Sequence, residues 1–113
     1  MFDEQIDPAG SGLGMIRVGE RVDDLQLCGL RIIQKDSGFR FGMDAVLLSD
    51  FARVEARDRV ADFGTGTGIL PLLLAGRGRG AHFDAFEIQT DMADMAKRSV
   101  CLNGLTERIH VHH

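Results

Sequence analysis

Tryptophan and tyrosine are absent from this 113-residue chain, and proline and cysteine occur only twice each. Cys28 and Cys101 do not form a C-x-x-C and fall in predicted strand and helix contexts. They read as inert, buried or half-buried thiols, not as a disulfide or a catalytic group. No apolar run approaches the length of a membrane span. The first 13 residues are acidic and polar, unlike a signal peptide. A cytoplasmic protein is the expectation. A concentrated basic patch is also missing. Six acids and two arginines occupy residues 1–24, and the remainder holds eleven acids and eleven basic residues, for a formal net charge of -4. Nucleic-acid binding therefore cannot be argued from charge, although a small-molecule site can serve a macromolecular substrate bound elsewhere.

What is present is apolar content of 44% and fourteen glycines, which fits one small folded domain or a piece of a larger one. Residues 1–19 read as a flexible arm. Asp7-Pro8-Ala9-Gly10-Ser11-Gly12 signals a turn or disorder, and Met15 to Gly19 is a candidate short strand. Leu25-Gln26-Leu27-Cys28 and Leu30-Arg31-Ile32-Ile33-Gln34 read as two extended pieces around Gly29, with a hairpin over residues 30–41. Asp44 is a natural N-cap for a helix through Ala52, whose apolar face is Leu47, Leu48 and Phe51. Residues 20–58 thus form a hairpin-and-helix unit ahead of the core.

Residues 59–113 alternate strand, helix, strand, helix, strand. Strands over 59–63 and 81–87 flank a helix over 69–75. Pro71 is tolerated in its first turn, where an amide has no partner. The Gly76-Arg77-Gly78-Arg79-Gly80 run reads as a solvated loop. A second helix runs from Gln89 or Thr90 to Leu102, and Ile88, Met92, Met95, Ala96 and Val100 sit at helical spacing, the methionines reading as core filler. Lys97 and Arg98 sit towards its end, as the helix dipole favours, and Asn103-Gly104 stops it. Arg108-Ile109-His110-Val111-His112 begins a third strand. These connections are too long for hairpins, so the order predicts half of a doubly wound α/β sheet, truncated after its third strand.

The sheet is organised around Asp62-Phe63-Gly64-Thr65-Gly66-Thr67-Gly68. Gly64 permits a turn after the strand, Gly66 lets a ligand lie against the backbone, and Gly68 lets the helix pack close. Free amides at the helix start favour a carboxylate or phosphate. Asp62 can accept a hydrogen bond from an ammonium. Glu87 ends the next strand, where an acid can take both hydroxyls of a ribose. A dinucleotide site expects G-x-G-x-x-G, but here Ile69 stands where its last glycine belongs. The acid before the first glycine disfavours a bare pyrophosphate and suits a cationic amino-acid end. The combination favours S-adenosylmethionine over NAD. A nucleotide-dependent oxidoreductase and a non-catalytic fragment that packs against a partner are the alternatives.

The sequence resembles the class I S-adenosylmethionine-dependent methyltransferases, and among them the bacterial tRNA valine adenine-N6 methyltransferases. The resemblance covers roughly residues 20–111. It rests on Glu20-Arg21-Val22-Asp23-Asp24-Leu25, Ile33-Gln34, and Phe39-Arg40-Phe41-Gly42-Met43-Asp44-Ala45-Val46-Leu47-Leu48. It continues through the glycine motif, Glu87-Ile88-Gln89, and Met95-Ala96-Lys97-Arg98-Ser99-Val100 with Asn103. The resemblance implies a Rossmann-like sheet, S-adenosylmethionine as cofactor, and methyl transfer to the N6 of a tRNA adenine. It implies that Asp62, Gly64, Thr65, Gly66, Gly68, Glu87 and Ile88 line the cofactor site, and that Gln34, Phe39 and Asp44 belong to the element that covers it. Read from the residues alone, Gln34 serves equally as a strand-edge polar group and Asp44 as a plain helix cap.

The family's Asn-Pro-Pro-Tyr motif, which holds the target amine and stacks on the adenine, does not occur in these 113 residues. The acidic residue expected just past the third strand is replaced by His112-His113. Those histidines lack a surrounding ligand set, so no metal is expected. The resemblance therefore implies a cofactor-binding part that does not methylate by itself.

Overall fold

A computed structural model describes residues 15–37 and 42–113. Three parallel strands form the main sheet in the order β3-β4-β5: β3 (Arg59–Phe63), β4 (His82–Phe86) and β5 (Ile109–His112). α2 (Ile69–Gly76) and α3 (Thr90–Leu102) make the crossovers. Strand alternation decides which side of the sheet is covered. Phe83, Ala85 and Ile109 are buried, and Phe83 and Ile109 pack with Leu72, Leu73, Leu74 and Val100 from the helices. Burial of these apolar side chains is the main stabilising contribution, about 1.5–3 kcal/mol for each large one. The opposite side of the sheet carries Arg59, Phe63, His82, Asp84, Phe86, His110 and His112.

The smaller sheet is an antiparallel pair, β1 (Glu20–Asp24) with β2 (Arg31–Lys35). This pairing differs from the expected one. Residues 15–19 hold no strand, and Val18 and Gly19 lie in a turn instead. Residues 25–28 are not extended: Gln26, Cys28 and Gly29 all have positive φ. The Leu25 amide donates to Leu30 O at 2.9 Å, closing the loop between the strands. The turn chemistry was hidden because Gln and Cys seldom adopt positive φ. The second arm of the hairpin expected over residues 30–41, with Phe39, lies outside the described residues.

β2 is held to α3 by side chains that imitate a strand edge. The Ile33 amide donates to Ser99 Oγ at 2.9 Å, and Arg31 and Asn103 exchange hydrogen bonds of 2.9 and 2.6 Å. Arg98 is 1% exposed and binds Asp94, Glu20 and Met15 O. It is therefore engaged by carboxylates, and not by the helix dipole that its place near the helix end suggests. Its partners instead tie β1 to α3.

α1 spans Met43–Phe51, with Gly42 as N-cap, so Asp44 lies in the first turn and is not the cap. Its inner side is Ala45, Val46 and the fully buried Ser49, while Leu47, Leu48 and Phe51 are 50–85% exposed. The apolar face expected to pack therefore points outward. The Gly76-to-Gly80 run is also more than a solvated loop. Arg79 Nη1 donates to Ser49 O, Asp50 O and Ala52 O at 3.1–3.3 Å, satisfying carbonyls that the helix end leaves open. Gly76 gives room to the small sheet: a Cβ there would lie 2.5 Å from Leu30 Cδ1.

Both cysteines are exposed, contrary to expectation. Cys28 lies in the positive-φ turn, with Sγ 3.3 Å from Gly76 O, and Cys101 is on the outer side of α3. Ile88 also departs from its expected core position. It precedes α3 and is 89% exposed, whereas Met95, Ala96 and Val100 are buried. No helix among the described residues is long and apolar enough to cross a membrane.

Candidate functional site

β3 and β4 end side by side, with Asp62 paired to Ala85 and Phe63 to Phe86. The glycine turn follows β3 and folds back over the end of β4. Gly64, Gly66 and Gly68 take φ of 78°, 62° and 89°, a region costly for residues with a Cβ. A Cβ on Gly68 would also lie 3.4 Å from the Ala96 Cβ, so this glycine sets how closely the start of α2 meets α3.

The turn's amides are largely engaged within the chain. Those of Gly64 and Thr65 donate to Phe86 O at 2.8 and 2.9 Å, and that of Gly68 to Thr65 O at 3.0 Å. The Gly66 amide donates to Glu87 Oε1 at 2.8 Å. The expected pool of free donors for an anion is reduced accordingly. Such a turn is poorly equipped to receive a pyrophosphate on these four amides.

Glu87 is 8% exposed. Its second oxygen, Oε2, accepts from the Gln89 amide at 2.9 Å. Its carboxylate therefore spans the glycine turn and the approach to α3, a bracing role the spacing of the motif did not reveal. Each oxygen retains a further lone pair, so a pair of hydroxyls can still be accepted.

Asp62 is half-buried beneath the turn. Its Oδ2 and the Thr65 hydroxyl are buried without a hydrogen-bond partner. Burial raises the Asp62 pKa above its ordinary value. The Thr65 hydroxyl, close by but short of a well-formed hydrogen bond, lowers it, and the negative charge of Glu87 raises it again. An unpaired buried carboxylate is costly, and a cation brought to the turn would relieve it.

A cleft of about 540 Å³ opens above these groups. Gly64, Gly66 and Glu87 form part of its wall, together with Lys35 of β2, Ser37, Gln89, and Asp91 and Met92 of α3. A neighbouring hollow of about 320 Å³ shares Gly64 and Glu87 and reaches Ile88 and His112. There Phe86 stacks between Phe63 and His112, with ring centroids 5.1 and 4.7 Å apart. Ile88 thus offers apolar surface at the rim of this hollow.

Gln34 and Asp44 stand elsewhere. Gln34 is 1% exposed and donates to Asp23 Oδ2 at 2.8 Å. Strand alternation instead sends its neighbour Lys35 to the cleft. Asp44 is exposed on α1 and on the wall of neither hollow. Phe39 lies outside the described residues. Lys35 was missed by sequence reasoning, and the signal for it was the alternation of β2 itself. Among the described residues no group of three or more His, Cys, Asp or Glu is placed to hold a metal.

The chain is 36% identical over 77 residues to the tRNA1(Val) (adenine(37)-N6)-methyltransferase of Aliivibrio fischeri, a match covering 67% of the chain and 33% of that protein. This chain is related to part of the tRNA1(Val) (adenine(37)-N6)-methyltransferases. Its matched stretch spans about a third of the length of the curated methyltransferases it matches. No protein-family model matches the chain. Among solved structures, P. horikoshii TYW2 in complex with MeSAdo superposes with a TM-score of 0.70 at 18% identity, covering 86% of this chain and 36% of that one. M. capricolum TrmK in complex with S-adenosyl-homocysteine gives 0.57 at 20% identity, covering 66% and 32%. The parallel three-stranded sheet with its glycine turn is the fold these likenesses share. It accords with the part of a Rossmann-like methyltransferase sheet that the sequence predicts.

Proposed function

We propose that this chain is the cofactor-binding part of an S-adenosylmethionine-dependent methyltransferase, and that the whole protein methylates the N6 of an adenine in tRNA. The observation that carries the reading is the unpaired, half-buried Asp62 beside a turn whose amides are already engaged. That pairing suits a ligand with a cationic amino-acid end and ill suits a pyrophosphate. In this reading Asp62 faces the ammonium, and Gly64, Thr65, Gly66 and Gly68 shape the floor. The Glu87 carboxylate accepts the ribose hydroxyls through its remaining lone pairs. Ile88 lies against the base. Gln34, Phe39 and Asp44 belong to the unit of residues 20–58, which closes over the site from the N-terminal side. The bound cofactor supplies an electrophilic methyl group. What the chain's own residues do is orient it and exclude water.

The relatives that match part of this chain are named for tRNA adenine-37 N6 methylation, and this supports the choice of substrate. The 113 residues contain no Asn-Pro-Pro-Tyr, so this chain alone is expected to bind cofactor without methylating. Calorimetric titration with S-adenosylmethionine and with NAD tests the reading. We expect heat with the first and none with the second. NAD binding without a response to S-adenosylmethionine would favour the oxidoreductase alternative.

A further inference from the structure

Lys35 is the only cation among the described residues lining the larger cleft. It ends β2, and its ammonium crosses the mouth to Asp91 Oδ2 on the first turn of α3, 2.6 Å away. Both side chains are about half exposed, 47% and 53%. An ion pair so exposed adds little to the stability of the fold. Its members are therefore free to change partners at small cost.

Glu87 in the cleft wall is an acceptor for the hydroxyls of an amino-acid-bearing nucleoside, and Asp62, behind the adjoining glycine turn, is one for its cationic part. For the carboxylate of such a ligand the wall offers the neutral side chains of Ser37 and Gln89 and a single charged donor, Lys35. The amides of Gly64, Thr65, Gly66 and Gly68 are held by Phe86, Glu87 and Thr65. A carboxylate entering this cleft meets Glu87 and Asp91, both negative, and one positive group. Charge complementarity thus singles out Lys35.

We propose that Lys35 is the carboxylate-binding residue of the cleft, and that Asp91 holds its ammonium across the mouth until a ligand carboxylate takes its place. The exchange makes one ion pair and breaks another, with no proton or electron transferred. It explains why a lysine, with its long flexible stem, stands at this strand end. It also makes the amino-acid end of the ligand, and not the nucleoside alone, the key that opens the mouth. The inference rests on the methyl-donor reading given above and extends it to a residue outside the glycine motif.

Two ligands separate the parts of the claim. S-adenosyl-homocysteine carries the carboxylate, and 5′-methylthioadenosine lacks the whole amino-acid end. Calorimetry on the 113-residue protein compares wild type, Lys35→Gln and Asp91→Asn, with circular dichroism as a check of folding. Lys35→Gln should weaken S-adenosyl-homocysteine binding by about tenfold, as expected for loss of one charge-assisted hydrogen bond. Its affinity for 5′-methylthioadenosine should stay within about twofold. Asp91→Asn should act in the opposite direction and tighten S-adenosyl-homocysteine, because the competitor for Lys35 is gone. If the pair were only a structural tie, both variants would shift both ligands the same way, and that result overturns the proposal. Unchanged S-adenosyl-homocysteine affinity in Lys35→Gln overturns it as well. If wild type binds neither ligand, the methyl-donor reading fails first and this inference falls with it.

Discussion

Two carboxylates in this chain are shifted in opposite directions, and each shift has a consequence. Asp62 has its pKa raised by burial, with the Glu87 charge adding to the effect and Thr65 opposing it. A raised carboxyl pKa means the native state holds its proton to higher pH than the unfolded chain does. Stability therefore falls as pH rises from the unfolded value through the native one, and the full penalty persists above it. Asp62→Asn should accordingly raise the melting temperature at pH 7 while weakening any ligand with an ammonium end. A lower melting temperature would show that Asp62 has a partner in the fold. In the proposed complex the same logic makes ligand affinity decline as pH drops through the raised Asp62 value, which calorimetry across pH 4 to 7 would read. Glu20 shows the reverse. Burial raises its pKa, but hydrogen bonds from Arg98 and the Arg17 amide, with the Arg98 charge, outweigh burial and lower it. Its contribution is present above the unfolded value and disappears as pH falls through the native one. Arg98→Met leaves Glu20 and Asp94 with Arg17 as their remaining cation, its Nη1 2.9 Å from Asp94 Oδ2, and removes the fully buried one. The expected cost is about 3–5 kcal/mol, as for other buried pairs that lose one partner. A loss under about 1 kcal/mol in urea denaturation would place the pair among the weak surface ones.

At the scale of elements, residues that look like helix surface in the sequence are what join the small sheet to the core. Ser99 of α3 and Asn103, its C-cap, together occupy the polar groups of Arg31 and Ile33 along the outer edge of β2. The Asn103 side-chain Nδ2 also donates to Ser99 O at 2.7 Å, closing the helix end. Asn103→Ala strips two partners from β2 and one from α3. We expect about 1–3 kcal/mol of destabilisation, with faster amide exchange at Arg31 but not at Phe83 in the main sheet. Equal acceleration at both would mean the two sheets open as one unit. The main sheet was legible because its signals agree: apolar strands, a glycine turn, and helices with caps and stops at the right intervals. The small sheet was not. Its loop is built on positive φ at Gln26 and Cys28, which no composition rule anticipates. Its attachment depends on a buried arginine whose place beside Lys97 suggested only a partner for the helix dipole. That Asp62, the glycines and Glu87 converge at one end of the sheet was legible from spacing. Lys35 was not, because Gln34 is the more distinctive residue and only the pleat distinguishes which of the two enters the cleft.

Across the whole molecule, the two faces of the main sheet are unequal. Helices cover one. The other presents Phe63, 79% exposed, at one end of a row of rings through Phe86 to His112. α1 adds a second outward apolar surface with Met43, Leu47, Leu48 and Phe51, 50–85% exposed. Two such surfaces on one small protein exceed what scattered exposed side chains require, and contiguous apolar patches are normally covered or functional. Sheets of parallel strands are as a rule covered on both sides. The curated methyltransferases that this chain matches are a little over twice its length. The 113-residue chain should therefore bind an apolar-patch dye such as ANS while its near-ultraviolet phenylalanine signals and cooperative melting are intact. That combination would distinguish native exposed faces from a molten state, in which fixed tertiary signals are lost. Phe51→Lys and Phe63→Lys, placed on the two separate surfaces, should each remove part of the dye signal, and the double variant should remove the sum. Neither should lower stability by more than about 0.5 kcal/mol, since both side chains leave water little changed on folding. A large loss of stability in either would mean that its surface is covered within this chain.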